Sequence, residues 1–328
     1  MSVWPTIARF IAEHGSAALV TLAQAQGSSP REVGARMVVA PDGSFTGTIG
    51  GGALEWGALA EAQALLGRQA AQIVRLERAL GPDLGQCCGG RVQLTLEKFD
   101  QRDQAEIEEL RDAERTGVLA TLAMPTPGGR LTRRIVEPYE GPAYMMRSGG
   151  AALERFGEEP TALYLFGAGH VGRALAAAIA PLPFAVTWID MRPGAIPAEF
   201  ATNITAIREG DPVALLARAP NQAFVAVMTH SHALDLDLTI AALNAKRFAY
   251  VGLIGSATKR ARFTAAMRKM GMTAELVESL VCPIGLTAIR DKAPAAIAAS
   301  IVAQLLIARE AAAARAHETQ DVTQVCHG

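Results

Sequence analysis

The chain has 328 residues, enough for about two domains at ~150 residues each. Hydrophobic residues make up 50% and charged residues 19%, which excludes a disordered chain. Lys and Arg number 31 against 32 Asp and Glu, which argues against nucleic-acid binding by bulk charge, and four cysteines are too few for a disulfide scaffold.

The opening MSVWPTIARF lacks the basic start and unbroken apolar core of a signal peptide. Thr6–Glu13 reads as a short helix and Ala17–Leu22 as a strand. The glycine-punctuated stretch Gln26–Arg36 follows, then a strand at Met37–Ala40, a Pro41-Asp42-Gly43 turn and a strand at Phe45–Ile49. Gly50-Gly51-Gly52 leads into a helix over Ala53–Leu66. Strands at Ile73–Leu76 and Val92–Leu96 flank LGQCCGG (84–90). Ala105–Arg115 is a charged helix, and Gly117–Ala123 with Leu131–Val136 suits a hairpin across PTPGG. Residues 1–140 are therefore read as a mixed α+β domain.

Residues 141–160 contain RSGG and lie where the pattern changes, so they are read as a linker. Across 161–328, strands at Leu163–Phe166, Ala185–Ile189, Ile204–Ile207, Ala223–Met228 and Tyr250–Ile254 alternate with helices at His170–Ile179, Pro212–Arg218 and Leu234–Ala245. That alternation predicts an α/β domain with a parallel sheet covered on both faces. The alanine-rich helix Ala293–Ala316 ends the chain, as an oligomer surface or packed on its own sheet. Its greasy core, Ala295–Ala308, contains Ser300 and Gln304 and falls short of the ~20 residues of a membrane span. A soluble, cytoplasmic protein without membrane or nucleic-acid partners is the expectation.

LYLFGAGHVGRAL (163–175) places Gly167, Gly169 and Gly172 as G-x-G-x-x-G between a strand and a helix. The first glycine suits a tight turn, the second a close approach to phosphate, the third helix–strand packing. The second strand ends in Asp190, where a ribose-binding acid would stand, although a surface or capping acid fits equally. Strand, glycines, helix and terminal acid together predict a Rossmann-like domain, and NAD(P) as a candidate ligand. Ligands of such sheets bind beyond the carboxyl ends of the strands. His170, Asp190, Arg192, Glu209, Asp211, His230, His232, Asp235, Gly255 and Ser256 all fall at that edge. Gly255-Ser256 followed by Lys259-Arg260 suggests a second anion site. His230 and His232 with Asp235 would suit a metal only with further ligands; local hydrogen bonding is the alternative.

The first domain carries Cys87 and Cys88 beside Gly89 and Gly90. A thiol in so glycine-rich a loop could be activated and suits a soft metal centre; two small packed residues is the alternative. GSSPREVGAR, with Ser28, Ser29, Arg31 and Arg36, and GTIGGGALE, with Gly51 and Gly52, are candidate anion loops or ordinary turns. Glu55 stands in the first turn after the second loop, where a helix dipole favours an acid.

GSSPREVGARMVV, GTIGGGALEW, CGG, LYLFGAGHVGRAL, VMTHSHALDLDL, YVGLIGSATKRARF and CPIGL, in that order, resemble the XdhC/CoxI family of xanthine dehydrogenase accessory proteins over nearly the whole chain. The resemblance implies a molybdenum cofactor chaperone rather than an enzyme. Such a protein binds the molybdopterin form, protects it, supports its sulfuration by a cysteine desulfurase and delivers it to apo xanthine dehydrogenase. It also implies that Cys88 is the family's cysteine, near the metal or its sulfur ligand, with Cys87 as an extra neighbour. Cofactor contacts are then expected from the glycine loops of both halves facing each other, and a homodimer is possible. The alternatives are an NAD(P)-dependent oxidoreductase, for which His230 is the sole acid–base candidate, and a cysteine-based sulfur-transfer protein.

Overall fold

The structure, a computed structural model, describes residues 2–68, 72–80, 89–139 and 141–325, with side chains described to residue 315. The chain divides into two compact units, Met1–Glu159 and Pro160–Gly328.

In the first unit, helix α1 (Val3–His14) leads into the long strand β1 (Ser16–Gln26). Strands β2 (Arg36–Val39), β3 (Phe45–Gly47), β4 (Ile73–Ala79) and β5 (Arg91–Asp100) complete an antiparallel sheet in the order β3-β2-β1-β5-β4. Alternation along β1 decides what covers each face. Ala18, Val20 and Leu22 pack with Leu54, Ala58 and Leu65 of helix α2 (Gly52–Leu66). Ala17 and Leu19 point the other way, onto Trp4, Ile7 and Phe10 of α1 and onto Ile107 and Leu110 of helix α3 (Gln104–Thr116). The two oxygens of Glu114 accept the free N–H groups of Val3 and Trp4, at 2.9 and 2.8 Å, so α3 caps α1 across 110 residues of chain.

Strands β6 (Leu119–Pro125) and β7 (Leu131–Val136) form the expected hairpin. The stretch 141–160 is not a linker: it carries β8 (Tyr144–Met146) and β9 (Ala152–Phe156). These complete a four-stranded sheet, β7-β6-β9-β8, because β9 pairs with β6 from Leu119↔Phe156 to Ala123↔Ala152. The glycines that suggested a linker sit at its turns; Gly149 and Gly150 have φ of 74° and 79°. The two sheets share a buried ion cluster. Arg133 of β7 grips Glu97 of β5 with two bonds of 3.0 and 2.6 Å, and Glu154 of β9 with a bond of 2.8 Å.

The second unit holds five parallel strands: β10 (Thr161–Phe166), β11 (Phe184–Ile189), β12 (Ile204–Ile207), β13 (Phe224–Val227) and β14 (Tyr250–Leu253), ordered β12-β11-β10-β13-β14. Strands β13 and β14 are buried along their whole length, as parallel strands covered by helices are, while the edge strand β12 leaves Thr205 exposed. Leu163, Leu165 and Trp188 face helices α4 (His170–Ile179) and α9 (Pro294–Val325). Phe166, Ile189 and Val225 face α5 (Pro212–Ala217), α6 (His232–Ala245), α7 (Ala257–Lys269) and α8 (Ala274–Glu278). The Rossmann-like α/β reading holds, with antiparallel sheets in the N-terminal unit.

Helix α9 corrects one expectation. It is longer than the sequence suggested, and its first 22 residues, Pro294–Arg315, are long and apolar enough to cross a membrane by length and composition. Ala298, Ile301 and Leu305, one helical stripe, are nevertheless buried in the sheet core. Between them Gln304 accepts from Tyr250 Oη at 2.6 Å and from Gly285 N at 2.8 Å. The helix is thereby seated on its own sheet.

Candidate functional site

Two clusters of site residues form, one in each unit. In the N-terminal unit three glycine loops meet. The GSSPR turn follows β1, the triple glycine opens α2, and Gly89-Gly90 leads into β5. A Cβ on Gly90 would overlap the Gln26 and Ser28 carbonyls, and a Cβ on Gly50 would overlap the Pro30 ring. Both glycines are required by close approach of the GSSPR turn, which is how loops far apart in sequence come together. Ser28, Ser29 and Arg31 lie on that turn. Ser29 Oγ donates to Arg31 O at 2.8 Å, and the Arg31 guanidinium lies against exposed Glu32 at 2.8–3.0 Å. Cys87 and Cys88 lie outside the described residues.

The turn around Gly51 and Gly52 already contains an anion. Glu55 Oε2 accepts from Ile49 N at 3.0 Å, from Gly51 N at 3.2 Å and, more closely, from Thr48 Oγ1. The acid expected to face the helix dipole folds back and fills the N–H cradle that a phosphate would use. Arg36 is likewise engaged: it is buried over the Phe156 ring, 4.0 Å from its centroid, and donates to the Arg155 and Ala143 carbonyls.

In the C-terminal unit the three motif glycines separate by role. A Cβ on Gly167 would overlap the Met228 carbonyl of the neighbouring strand, and φ there is 115°. A Cβ on Gly172 would overlap the Gly167 carbonyl, so that glycine lets α4 lie against the turn. Gly169 has neither reason: φ is −72°, and a Cβ would meet nothing within 4 Å. It caps α4 without a side-chain bond, so the helix presents its first N–H groups, from His170 onward, at an open point of the backbone.

Asp190 ends β11 as expected, buried to 7% exposure. Burial alone would raise its carboxyl, but its hydrogen bonds to Arg192 and Ala168 N outweigh that and hold it below the ordinary carboxylate value. Oδ1 accepts from Arg192 N and Nε, both at 3.0 Å; Oδ2 accepts from Ala168 N and Arg192 Nη2, both at 2.7 Å. Arg173 of α4 pins the next loop by donating to the Ala195 and Gly194 carbonyls. Between the ends of β10, β11 and β13 opens a cleft lined by Phe166, Gly167, Ile189, Met191, Thr229 and Leu234. A larger hollow beside Lys246, Tyr250 and Leu276 lies at the amino end of β14, away from this chemistry.

The remaining edge residues divide. His230 and His232 are exposed, and Ser231 between them caps α6 by accepting from Leu234 N. Asp235, fully buried, accepts from Thr229 N and Oγ1 and from Lys259 Nζ at 3.0, 2.7 and 2.6 Å. It ties the loops after β13 and β14 together and is not a third ligand for the histidines. Among the described residues, no group of three or more His, Cys, Asp or Glu is placed to hold a metal. The second anion site expected at Gly255 and Ser256 does not assemble. Ser256 Oγ caps α7, Lys259 is held by Asp235 and the Ile254 carbonyl, and Arg260 donates to the carbonyls of Leu280 and Cys282. Local spacing carries no signal of Asp235, Leu280 and Cys282, the partners 20 to 24 residues away that engage these cations.

The chain matches two related family models: "XdhC and CoxI family" over residues 10–77 and "XdhC Rossmann domain" over residues 163–305. It is 25% identical over 320 residues to a Bacillus subtilis protein named as a probable xanthine dehydrogenase subunit, covering 90% of this chain and 93% of that one. Over 99 residues it is 37% identical to an Escherichia coli protein named "Molybdenum cofactor insertion chaperone PaoD", covering 29% of this chain and 31% of the relative. A crystal structure from Bacillus halodurans, described as a xanthine dehydrogenase, superposes with a TM-score of 0.75 over 95% of this chain and 96% of that one. At 22% identity this is a likeness of fold.

Proposed function

The chain belongs to the XdhC and CoxI family, and from that premise we propose that it is an accessory protein that carries the molybdenum cofactor, as cargo, for insertion into apo xanthine dehydrogenase. The observation that carries this reading is the meeting of the three N-terminal glycine loops, two of which lie within the matched region 10–77. A molybdopterin cargo has a phosphate and a sulfur-bound metal. Its phosphate is assigned to the GSSPR turn, through Ser28, Ser29 and Arg31, because Glu55 fills the turn at Gly51. Arg31 can leave Glu32 for a phosphate at little cost, since an exposed ion pair contributes only ~0–1 kcal/mol.

Cys88 directly precedes Gly89 in the chain, and we assign it to the metal or its sulfur ligand, with Cys87 beside it. A thiolate is the soft ligand such a centre takes. On this reading a cysteine desulfurase supplies the sulfur, the chain itself turns over no substrate, and it works in the cytoplasm, as a homodimer if α9 pairs beyond its buried stripe. The test is retention. The full chain is incubated with molybdenum cofactor, desalted and assayed for molybdenum and pterin. Both should be retained, and Cys88→Ala should lose most of the molybdenum while its unfolding temperature stays within about 2 °C of the parent. A parent that keeps neither molybdenum nor pterin overturns the carrier reading. Full retention and normal activation of the target by Cys88→Ala removes the cysteine from it.

A further inference from the structure

We propose that the outer face of α2 is the surface on which the apo enzyme docks to take the cargo, with Trp56 as its anchor. This rests on the carrier reading above and names the face that meets the partner. Helix α2 turns Leu54, Ala58, Ala62 and Leu65 onto the sheet. Its opposite face carries Ala53, Trp56, Gly57, Ala60 and Ala64, all exposed, which at i, i+3, i+4, i+7 and i+11 form one stripe of a helix. A surface helix ordinarily places its charges there. In α2 the polar side chains are engaged elsewhere. Glu55 folds back into the turn at Gly51, Glu61 pairs with Arg78, and Gln63 donates to the Pro41 carbonyl. A helix apolar on every side is one covered on every side, and the sheet covers one.

Trp56 dominates the stripe. At 69% exposure it is the most open large apolar side chain among the described residues, while Trp4 and Trp188 are 0% and 1% exposed. A Cβ on its neighbour Gly57 would meet nothing within 4 Å, so the ground beside the indole is open. Tryptophan seated in an apolar pocket is a typical anchor of protein interfaces. The matching partner surface is an apolar recess of indole size with no charge facing the stripe.

Size and position decide the occupant. Trp56 offers about 100–170 Å², its exposed share of an indole side chain, and residues with one side-chain carbon or none add little more. That is well under the ~800 Å² per partner of a stable complex, so the stripe by itself does not hold a second copy of the chain. It suits a short-lived partner that also touches what lies beside it. Ala53 directly follows Gly50-Gly51-Gly52, and Trp56 stands one helical turn beyond Gly52, so the stripe begins where the glycine loops meet. A lasting partner would stand over the loops from which the cargo leaves. The cargo's acceptor needs to be there only at that moment.

The chain has three tryptophans, so growth on 5-fluorotryptophan gives three fluorine resonances, and Trp56 alone should carry a solvent isotope shift. Unlabelled apo xanthine dehydrogenase should move or broaden this resonance and leave the other two in place. Biolayer interferometry of the cargo-free chain on immobilised apo enzyme should show binding at least tenfold weaker for Trp56→Ala and for Ala60→Arg. Both variants should retain molybdenum and pterin within about twofold of the parent. Circular dichroism melting checks that they fold, and the fluorine signal of the parent carries the test if they do not. The binding measurement uses no cofactor. A parent that keeps no cofactor therefore removes the carrier reading and leaves the docking face to be decided by its own data, whereas normal retention with undiminished binding of both variants removes the docking face alone. A Trp56 resonance that ignores the enzyme, that moves with the concentration of the chain itself, or that shows no solvent isotope shift in the free chain overturns the proposal. Loss of cofactor retention in Trp56→Ala also overturns it, by placing the indole in the cargo site.

Discussion

Alanine placed at Gly169 and at Gly172 should have opposite consequences although the two positions are three residues apart. At Gly172 the new methyl would overlap the Gly167 carbonyl, a backbone atom that cannot rotate away. Either α4 shifts or the turn after β10 opens, at the ~1–3 kcal/mol typical of overpacking. For a unit of this size that is a melting temperature lower by roughly 2–12 °C. At Gly169 the methyl meets open space and φ of −72° suits any residue. Restricting the unfolded chain favours the alanine by about 0.4–1 kcal/mol, and losing glycine's preference for the helix cap offsets a similar amount. The net change should stay within about 1 kcal/mol. Differential scanning calorimetry of the full chain measures both. A Gly169→Ala protein destabilised as much as Gly172→Ala would mean that the fold itself occupies the position and leaves no open approach for a phosphate.

Replacing Arg133 with Met should cost about 3–5 kcal/mol, because Glu97 and Glu154 are left without their cation in the core. Urea unfolding followed by tryptophan fluorescence reads it, since Trp4 lies under the Arg133 guanidinium; a loss below 1 kcal/mol would refute that accounting. Lys259→Met should cost a similar amount, about 3–5 kcal/mol, in the C-terminal unit, by leaving the buried Asp235 unpaired; an unchanged melting temperature would show that Thr229 alone suffices. Hydrogen bonds from Arg102 hold the Asp100 carboxyl down at about 2, against an ordinary 3.8. A lowered acid stabilises the fold above its unfolded value and loses that contribution as pH falls. The turn at Gln101–Asp103 that opens α3 should therefore keep its carbon chemical shifts at pH 5 and change between about pH 4 and pH 2. A midpoint near 4 in an NMR titration would contradict the capping bond.

Alternation and glycine spacing made much of this protein legible from its residues alone. The alternation of strands and helices across 161–328 predicted a parallel sheet with helices on both faces, and the strand–glycine–helix–strand–acid run from Leu163 to Asp190 predicted its Rossmann-like start, because buried βαβ units leave that pattern in their residues. The ordered motifs pointed to the family that the two matches establish. What the sequence left out were the partners. Position in the G-x-G-x-x-G motif gave Gly169 and Gly172 different expected roles, but only the tertiary structure shows the Gly167 carbonyl that leaves no room for a side chain at Gly172. Asp190 reads as a ribose acid until Arg192 and Ala168 N are seen to fill it, and Lys259 as an anion ligand until Asp235 takes it. Residues 144–156 looked like a linker because short strands at a sheet edge carry a weak pattern, and pairing with β6 makes them structure. The sequence determined which backbone shapes and chemical groups were present. The tertiary fold decided which remain open to a ligand, because hydrogen-bonding capacity is finite and contacts across tens of residues consume it first.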